Sequence, residues 1–445
     1  MKQRYDSYKP SGIDWIGEIP SHWENTRLKF ECSLKGRIGW NGLKSDEFKV
    51  ESYAYLVTGQ DFVGKDIDWH KCYQIDKWRY DEDPFIQLSN GDLLITKDGT
   101  IGKIALVDNL DKPACLNSGI FVLKFTSDKL MQKYLYWTLV STQLIDFNFY
   151  RAGASTTIQH LYQNVFENMP LVVPSLPEQE AIATWLDEKC SEIDAAIAKV
   201  DREIELIDEL KHSEISRVVT RGLNPDVALK SSGIDWIGEI PCHWDCVKTL
   251  FALSMPITDG PHETPTLYED GIPFISAEAI STGKIRFDHM RGYISQAYYE
   301  ECCKKYIPQR NDIYMTKSGA STGRVALVET DCIFTIWSPL AVFRANASKT
   351  DYKFLYYVLL SECYQKQVEN GWSYGTQQNI GMRTLEKLKI PLPPLTEQQS
   401  ISDYLDKKCA EIDGLKEKLV RKRETLKEFR QSIISEVVTG KRKVN

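Results

Sequence analysis

The sequence lacks any uncharged apolar run of the roughly 18 residues needed to cross a membrane, and its opening residues lead into no apolar segment. We therefore expect a cytoplasmic protein with no membrane span and no export signal. Histidine is scarce, with 7 residues among 445, and neither histidines nor cysteines have the spacing of a metal site. The 11 cysteines are an odd number, which favours reduced thiols over a disulfide framework.

Motifs for catalysis are also missing. Gly59–Lys65 has the G-x4-G-K spacing of a phosphate loop, but Asp66 stands where the magnesium-binding Ser or Thr belongs. The DPF segment at 83–85 matches only part of the D-P-P-F signature of amino-methyltransferases, and no G-x-G-x-G turn accompanies it. His22 and His243 occupy matched IPxHW segments, where we expect packing or capping beside tryptophan. These absences predict a non-catalytic chain and argue against a self-contained modification enzyme.

The chain does contain an internal sequence repeat, in which the same motifs occur in the same order in both halves. Ser11–Trp23 reads SGIDWIGEIPSHW and Ser232–Trp244 reads SGIDWIGEIPCHW, which are identical at twelve of thirteen positions with an offset of 221 residues. Further matches at nearly the same offset pair Gly91–Val107 with Asn311–Val328, Lys133–Leu139 with Lys353–Leu359, and Pro174–Thr220 with Pro393–Thr439. Between these matches, 35–89 and 254–309 barely align. The halves share a frame but differ in content, which predicts two recognition surfaces that read different things.

Each half closes on a long segment with helical periodicity. In 177–220 and 396–439, apolar residues recur at alternating steps of three and four with no internal proline after the opening, as in a coiled-coil seam. Two helices of equal length, each with one apolar stripe, bury those stripes most simply against each other. The sequence therefore predicts that the two helices pair as an antiparallel coiled coil.

The rest of each half consists of short β-rich runs separated by Gly, Asp and Asn turns, with one further helical stretch at 130–144 or 352–364. We predict an α+β fold with two globular domains in internal repeat, each followed by a long helix. The predicted boundaries are 1–172 for the first domain, 173–222 for its helical spacer, 223–391 for the second domain and 392–445 for the second spacer.

The net charge of −7 by itself argues against binding of nucleic acid, but the acidic residues are unevenly distributed along the chain. Residues 178–214 carry twelve acids and four bases, a balance of −8, so the rest of the chain is close to neutral at +1. This acidic helix is either a solvated face or a face for a protein partner. In both cases DNA binding stays open, because it follows the local field.

The two IDWIGEIPxHW openings, the two T-K-x-G loops and the two LxEQxxI…LDxKCxEID helices, spread over nearly the whole chain, resemble the specificity subunit of type I restriction–modification systems. The resemblance implies a non-catalytic subunit with two target recognition domains, each reading one half of a split, non-palindromic site in double-stranded DNA. It also implies that the helices set the half-site separation and dock two adenine methyltransferase subunits. Partner subunits, including restriction/translocase subunits, would bind S-adenosylmethionine, ATP and Mg, and this chain would bind no cofactor.

Candidate DNA contacts lie in two pairs of polar clusters. Turn 97–103 and its counterpart 317–324 offer backbone amides, hydroxyls and cations to phosphates or base edges, and 151–159 pairs with 372–379. The candidates are Lys97, Thr100, Lys103, Arg151, Ser155, Gln159, Lys317, Ser318, Ser321, Arg324, Thr376 and Gln378. Weaker candidates in the diverged regions are Thr58, Gln60, Asp61, Ser276 and Glu278. The competing interpretation of each turn is a β-turn with solvated lysines.

Acidic positions in the matched helical segments are the candidates for docking the methyltransferase subunits, namely Glu178, Glu180, Asp187, Asp194, Glu397, Asp406 and Asp413. An alternative function from another class is a two-domain coiled-coil scaffold that tethers protein partners without binding DNA. Deleting the loops around Lys97 and Lys317 would distinguish the two functions, because a pure scaffold should tolerate the deletion.

Overall fold

The computed structural model describes residues 3–37, 43–142, 147, 161–281, 283–374 and 378–444. The chain divides into two compact units, Met1–Val200 with Arg421–Asn445 (unit 1) and Asp201–Val420 (unit 2). Within the described residues the helices are α1 Leu28–Glu31, α2 Lys77–Asp81, α3 Gln132–Val140, α4 Gln163–Phe166, α5 Leu176–Arg221, α6 Gln296–Cys303, α7 Tyr352–Leu360, α8 Glu362–Asn370, α9 Met382–Lys387 and α10 Leu395–Val438. Each unit takes part of both long helices, α5 and α10.

Both units are rich in short strands. Those of unit 1 are β1 Tyr8–Pro10, β2 Glu18–Pro20, β3 Glu24–Arg27, β4 Cys32–Gly36, β5 Ala54–Val57, β6 Phe62–Val63, β7 Asp66–Ile67, β8 Tyr73–Ile75, β9 Leu93–Thr96, β10 Ile104–Leu106, β11 Ala114–Leu116, β12 Ile120–Phe125 and β13 Pro170–Val173. Those of unit 2 are β14 Leu229–Ser231, β15 Glu239–Pro241, β16 Asp245–Lys248, β17 Thr258–Asp259, β18 Ile272–Ile275, β19 Ile280–Ser281, β20 Lys284–Ile285, β21 Gly292–Ile294, β22 Ile313–Thr316, β23 Val325–Leu327, β24 Thr335–Ile336, β25 Leu340–Phe343, β26 Ser373–Tyr374, β27 Gln378–Asn379 and β28 Lys389–Leu392.

A four-stranded antiparallel sheet forms the centre of unit 1, in the order β10-β9-β12-β4. Alternate residues of a strand point to opposite sides of a sheet. Both faces of this sheet are buried, because a layer packs on each of them. Leu93 and Ile95 pack into a core that includes residues of α3 and α5. Leu94 and Val122 pack on the other side, with the sheet β11-β5-β8. The central sheet is therefore the middle layer of a three-layer α+β domain, while β5, which also lies in a predicted β-rich run, belongs to the outer sheet.

Unit 2 repeats this arrangement. Its four-stranded sheet has the order β17-β25-β22-β23, and the smaller sheet has the order β21-β18-β24. Ile313 and Met315 face the helical core, while Tyr314 and Val342 face the smaller sheet. In both units the smaller sheet contains one parallel pair, β11 with β5 or β24 with β18. The predicted internal repeat is thus a repeat of topology as well as of sequence.

The two long helices begin and end within one residue of the predicted segments and pair antiparallel. In unit 1, Arg430 of α10 lies 2.8 Å from Asp194 of α5. In unit 2, Lys416 lies 2.6 Å from Asp208. Also within unit 2, Lys211 of α5 lies 2.7 Å from Asp413, so residue numbers fall along α10 as they rise along α5, as an antiparallel pair requires. The predicted fold class is confirmed within each unit.

One predicted helix is broken in two. The stretch 352–364 forms α7 and α8, which are separated by the extended residue Ser361. The Ser361 hydroxyl donates to the Val358 carbonyl at 2.5 Å and so satisfies the end of α7. Ser361 is fully buried, and this local capping overrides the continuous apolar periodicity. By contrast, the segment Gly59–Lys65 contains β6 and the turn of the hairpin β6-β7, and no helix follows it directly, as the rejection of a phosphate loop predicted.

Candidate nucleic-acid interface

The predicted turn of unit 1 connects β9 to β10 at the end of the central sheet. Gly99 and Gly102 both have positive φ, +69° and +82°, which side chains rarely adopt. The Thr96 hydroxyl donates to the Thr100 carbonyl at 2.6 Å and accepts from the Lys103 amide at 2.9 Å. The turn is therefore held by backbone geometry and one buried hydroxyl, while the side chains of Thr100 and Lys103 are exposed.

This turn borders a groove of about 490 Å³. Thr58 and Gln60, from the diverged region, line the same groove as Thr100 and Lys103. Turn 97–103 and the weaker candidates Thr58 and Gln60 therefore lie around the same groove. Asp61 has a different place, because it is buried and its carboxylate accepts from the Thr58 amide at 2.7 Å. It shapes the turn that presents Thr58 and Gln60.

Lys97 stands apart from the exposed residues of its turn. Its side chain is only 16% exposed, and its ammonium group lies 5.1 Å from the centre of the Phe121 ring and 3.9 Å from Asp98. A cation held over an aromatic face is stabilised there. Lys97 thus packs against its own domain, and Lys103 is the exposed cation of the turn.

In unit 2, the counterpart turn connects β22 to β23, and Gly319 and Gly323 again have positive φ, +89° and +91°. The Gly319 amide donates to the Gln378 carbonyl at 2.9 Å, and Ser318 bridges to Asn379. The first and second candidate clusters of unit 2 therefore meet, since Gln378 lies on β27 beside the turn. Ser321 is partly buried within the turn, and its carbonyl accepts from the Arg324 amide at 3.1 Å.

Arg324 is exposed and borders a groove of about 670 Å³. The groove is also lined by Thr322, Gln365 and His212, of which the last belongs to α5. Lys317 is placed differently, since its side chain is 12% exposed and its ammonium group lies 3.4 Å from the buried Asp259. In both units, then, the first lysine of the turn is bound to its domain and the last cation faces outwards.

Four of the predicted contacts, Arg151, Ser155, Gln159 and Thr376, lie outside the residues that the structure describes. Of the weaker candidates in unit 2, Ser276 is buried at the end of β18 and its hydroxyl lies 3.3 Å from Glu278. The Glu278 carboxylate also lies 3.4 Å from Arg291.

Two of the carboxylates predicted to dock methyltransferase subunits bind the repeated opening motif. Glu178 accepts from the Trp23 indole at 3.1 Å and lies 3.0 Å from His22 Nε2. Glu397 makes the same contacts in unit 2, at 3.0 Å to Trp244 and 2.9 Å to His243.

Four more of these carboxylates form ion pairs within the chain. Asp194 pairs with Arg430 and Asp413 with Lys211, which links α5 to α10 in each unit. Asp406 pairs with Lys353 and accepts from the Tyr357 hydroxyl at 2.7 Å, and Asp187 lies 3.4 Å from Lys65. The hydrogen bond to Asp406 raises the pKa of Lys353, so this ammonium group stays charged. Glu180, the remaining candidate, is exposed.

The shared EQ pair of the long helices has a role that sequence reasoning missed. Gln179 is fully buried, and its amide donates to the Lys129 carbonyl at 2.7 Å and accepts from the Met131 amide at 2.8 Å. Gln398 repeats these bonds with Lys349 and Asp351, both at 2.9 Å. The sequence signal for this role was the occurrence of EQ at the start of both long helices. A buried glutamine needs partners for its donors and acceptor, and equivalent backbone groups supply them in each unit.

Among the described residues, no three His, Cys, Asp or Glu side chains converge in a way that could hold a metal ion. In the same part of the chain, no helix combines the length and the apolarity that a membrane crossing requires. All eleven cysteines are free, and burial raises the pKa of Cys115 and Cys190 to about 11.

Comparison with known proteins identifies the family. The sequence model of the type I restriction modification DNA specificity domain matches residues 43–206 and 262–420. The chain belongs to this family. The MjaVIII specificity subunit of Methanocaldococcus jannaschii is 24% identical over 436 residues, covering 96% of this chain and 94% of that protein. The EcoBI specificity subunit of Escherichia coli is 22% identical over 356 residues, covering 78% and 73%.

A solved structure supports the same assignment at the level of fold. A chain from a study of complex assembly and conformational transition of the type I restriction–modification system superposes with a TM-score of 0.68 at 18% identity. The match covers 94% of this chain and 98% of the solved one. The family model and the similarity to specificity subunits confirm the predicted family and the predicted non-catalytic specificity subunit.

Proposed function

We propose that this chain reads a bipartite, asymmetric DNA site and directs adenine methyltransferase and restriction/translocase subunits to it. The observation that carries the proposal is the pair of turns at the same place in two equivalent sheets. Turn 97–103 and turn 317–324 have the same glycine geometry and an exposed terminal cation, Lys103 or Arg324, but differ in sequence and in length. Equivalent frames with different contact groups suit the reading of two different half-sites.

The assignment of cations follows from their exposure. Arg324 can donate two parallel hydrogen bonds to guanine O6 and N7, while Lys103 offers a point charge to phosphate or to guanine. The groove beside turn 97–103 supplies further hydroxyl and amide groups from Thr58 and Gln60. Each unit then reads one half-site with residues from its own domain.

The helices α5 and α10 provide the remaining parts of the proposal. Ion pairs within each unit hold the recognition domain against its helical segment. In this proposal, the helices set the separation of the half-sites. Glu180 and the exposed acids of α5 are available to the methyltransferase subunits. In this proposal the partner subunits bind S-adenosylmethionine, ATP and Mg, and this chain binds none of them. The complex acts on chromosomal DNA in the cytoplasm.

The proposal is tested by selecting duplexes from a randomised DNA pool with the full chain assembled on the methyltransferase subunits encoded in its own genome. Sequencing of the bound pool is expected to return two different short motifs at a fixed separation. Arg324→Ala should relax only one of the two motifs, and Lys103→Ala should leave that motif unchanged. Enrichment of no motif, or of one palindromic motif, would contradict the proposal and favour a scaffold.

A further inference from the structure

A fully buried carboxylate lies beside the candidate turn of unit 2. Asp259 ends β17, its side chain has no exposed surface, and three basic side chains surround it. Lys305 forms an ion pair with it, Lys317 lies 3.4 Å away and His262 Nε2 lies 3.1 Å away. Burying a single charge is costly unless it is paired. Asp259 is therefore a junction that fixes the turn residue Lys317 and the segment after β17 to one point.

The segment after Asp259 is attached to the domain along its backbone. At Gly260, a side chain would place its Cβ 1.9 Å from the Ile336 carbonyl oxygen, so only glycine fits. The Pro261 carbonyl accepts from the Ser338 amide at 3.1 Å, and the Glu263 carbonyl accepts from the Trp337 indole at 3.1 Å. Further along, Tyr268 exchanges two backbone hydrogen bonds with Tyr293, at 2.8 and 3.2 Å. The backbone of 259–268 is thus anchored at both ends.

Two side chains of this segment also contact the domain, His262 at Asp259 and Glu263 beside the Tyr298 hydroxyl, but most of the segment's side-chain surface faces solvent. His262, Glu263, Thr264, Thr266 and Tyr268 are all exposed. Polar groups held on a fixed backbone lose little freedom when they bind a partner, which is the condition for selective recognition. The segment also lies within 254–309, the region in which the two halves barely align. It therefore has the diversity expected of a reading surface as well as the rigidity.

The charge of Glu263 decides which part of DNA it can meet. A carboxylate repels phosphate oxygens, but it accepts hydrogen bonds from amino groups at base edges, and cytosine N4 is its usual partner in the major groove. His262 and Thr264 can donate or accept beside it. The segment thus suits base contact better than backbone contact.

We propose that residues 262–266 form a base-reading segment of unit 2, in which Glu263 selects cytosine, and that Asp259 is its positioning residue. This inference rests on the proposed DNA-reading function. It adds a second reading element to turn 317–324, linked to it through the contact of Asp259 with Lys317. Asp259 itself touches no base, since it is buried.

The test uses the same assembled complex and randomised duplex pool, with Glu263→Gln, His262→Ala and Asp259→Asn compared with the wild-type chain. Asp331→Asn is the matched control, because Asp331 is an exposed carboxylate of unit 2 that pairs with Arg310 at 2.7 Å. Glu263→Gln should lower the preference for cytosine at one position of the second half-motif about tenfold or more. His262→Ala should relax a position next to it, and the control should change neither half-motif.

Asp259→Asn should relax several positions of the second half-motif at once while the first half-motif stays intact. Since this variant removes a buried charge, its folding is followed by circular dichroism, and the two exposed substitutions decide the inference if it fails to fold. The inference is overturned if Glu263→Gln and His262→Ala leave both half-motifs as in the wild type. A wild-type complex that enriches no motif contradicts the proposed function itself, which is a different result.

Discussion

The indole of Trp23 donates a 3.1 Å hydrogen bond to the carboxylate of Glu178, so the opening motif of the chain is bound to the first turn of α5. The equivalent bond in unit 2 joins Trp244 to Glu397 at 3.0 Å. Both tryptophans are fully buried, and a histidine binds the same carboxylate in each unit. This contact accounts for the presence of both IPxHW and LxEQ in each half of the chain. It fixes each recognition domain to the helix that follows it.

Glu178→Ala is expected to lower the melting temperature of the chain by roughly 2–10 °C. The substitution leaves the buried Trp23 N–H without an acceptor, a loss of about 1–3 kcal/mol. Differential scanning calorimetry measures the change, with Glu180→Ala as the control because Glu180 is exposed on the same turn. Equal melting temperatures for the two variants would contradict a structural role for Glu178.

The ion pair between Asp208 and Lys416 should contribute only modestly to helix pairing in unit 2. Both side chains are about 40% exposed, so solvent screening limits their coupling to about 0.2–1 kcal/mol. Asp208→Lys should destabilise the chain through repulsion from Lys416, and Lys416→Asp in the same chain should restore most of the loss. A double-mutant cycle in urea measures this coupling. Absence of any rescue would show that these side chains do not face each other in solution.

Thiol reactivity should follow burial. Burial raises the pKa of Cys115 and Cys190 to about 11, so at pH 8 both thiols remain protonated and unreactive. Cys242 and Cys332 are exposed. A maleimide should therefore label them in the folded chain under conditions in which Cys115 and Cys190 stay unlabelled. Mass spectrometry of the peptides identifies the labelled sites, and labelling in urea shows that every thiol can react once exposed. Rapid labelling of Cys115 in the folded chain would contradict the described core.

The two outward-facing cations should act on different half-sites. With a duplex carrying both selected half-motifs, Lys103→Ala should reduce the dependence of log affinity on log salt concentration by about one, if Lys103 binds phosphate. Arg324→Ala should instead cost about 1–3 kcal/mol and relax one base position. Fluorescence anisotropy at several salt concentrations separates the two effects. Arg310→Ala serves as the control, and an equal effect from it would indicate charge alone.

Much of the fold could be predicted because its signals are local. The ends of α5 and α10 follow from apolar periodicity and flanking prolines, and the repeat itself shows that two units share a topology. The break at Ser361 was missed because it depends on one buried hydroxyl rather than on periodicity.

The candidate site was harder to predict, since contacts from distant segments decide which charges are free. From sequence alone, Lys97 and Lys317 are predicted to be exposed cations available to DNA. The structure places one over the Phe121 ring and the other beside Asp259. Sequence likewise shows that Asp194 is acidic, but not that Arg430 lies within reach of it. The segment around His262 carried no repeated motif and was therefore overlooked.

A map of methylated adenines in the source genome, made with this gene intact and with it deleted, tests most directly whether the chain selects the site of modification. Deletion is expected to remove methylation from one split, asymmetric motif and from no other. Restoring the gene with Arg324→Ala should return methylation with a relaxed second half-motif. A map that is identical with and without the gene would contradict the claim that this chain selects the site of modification.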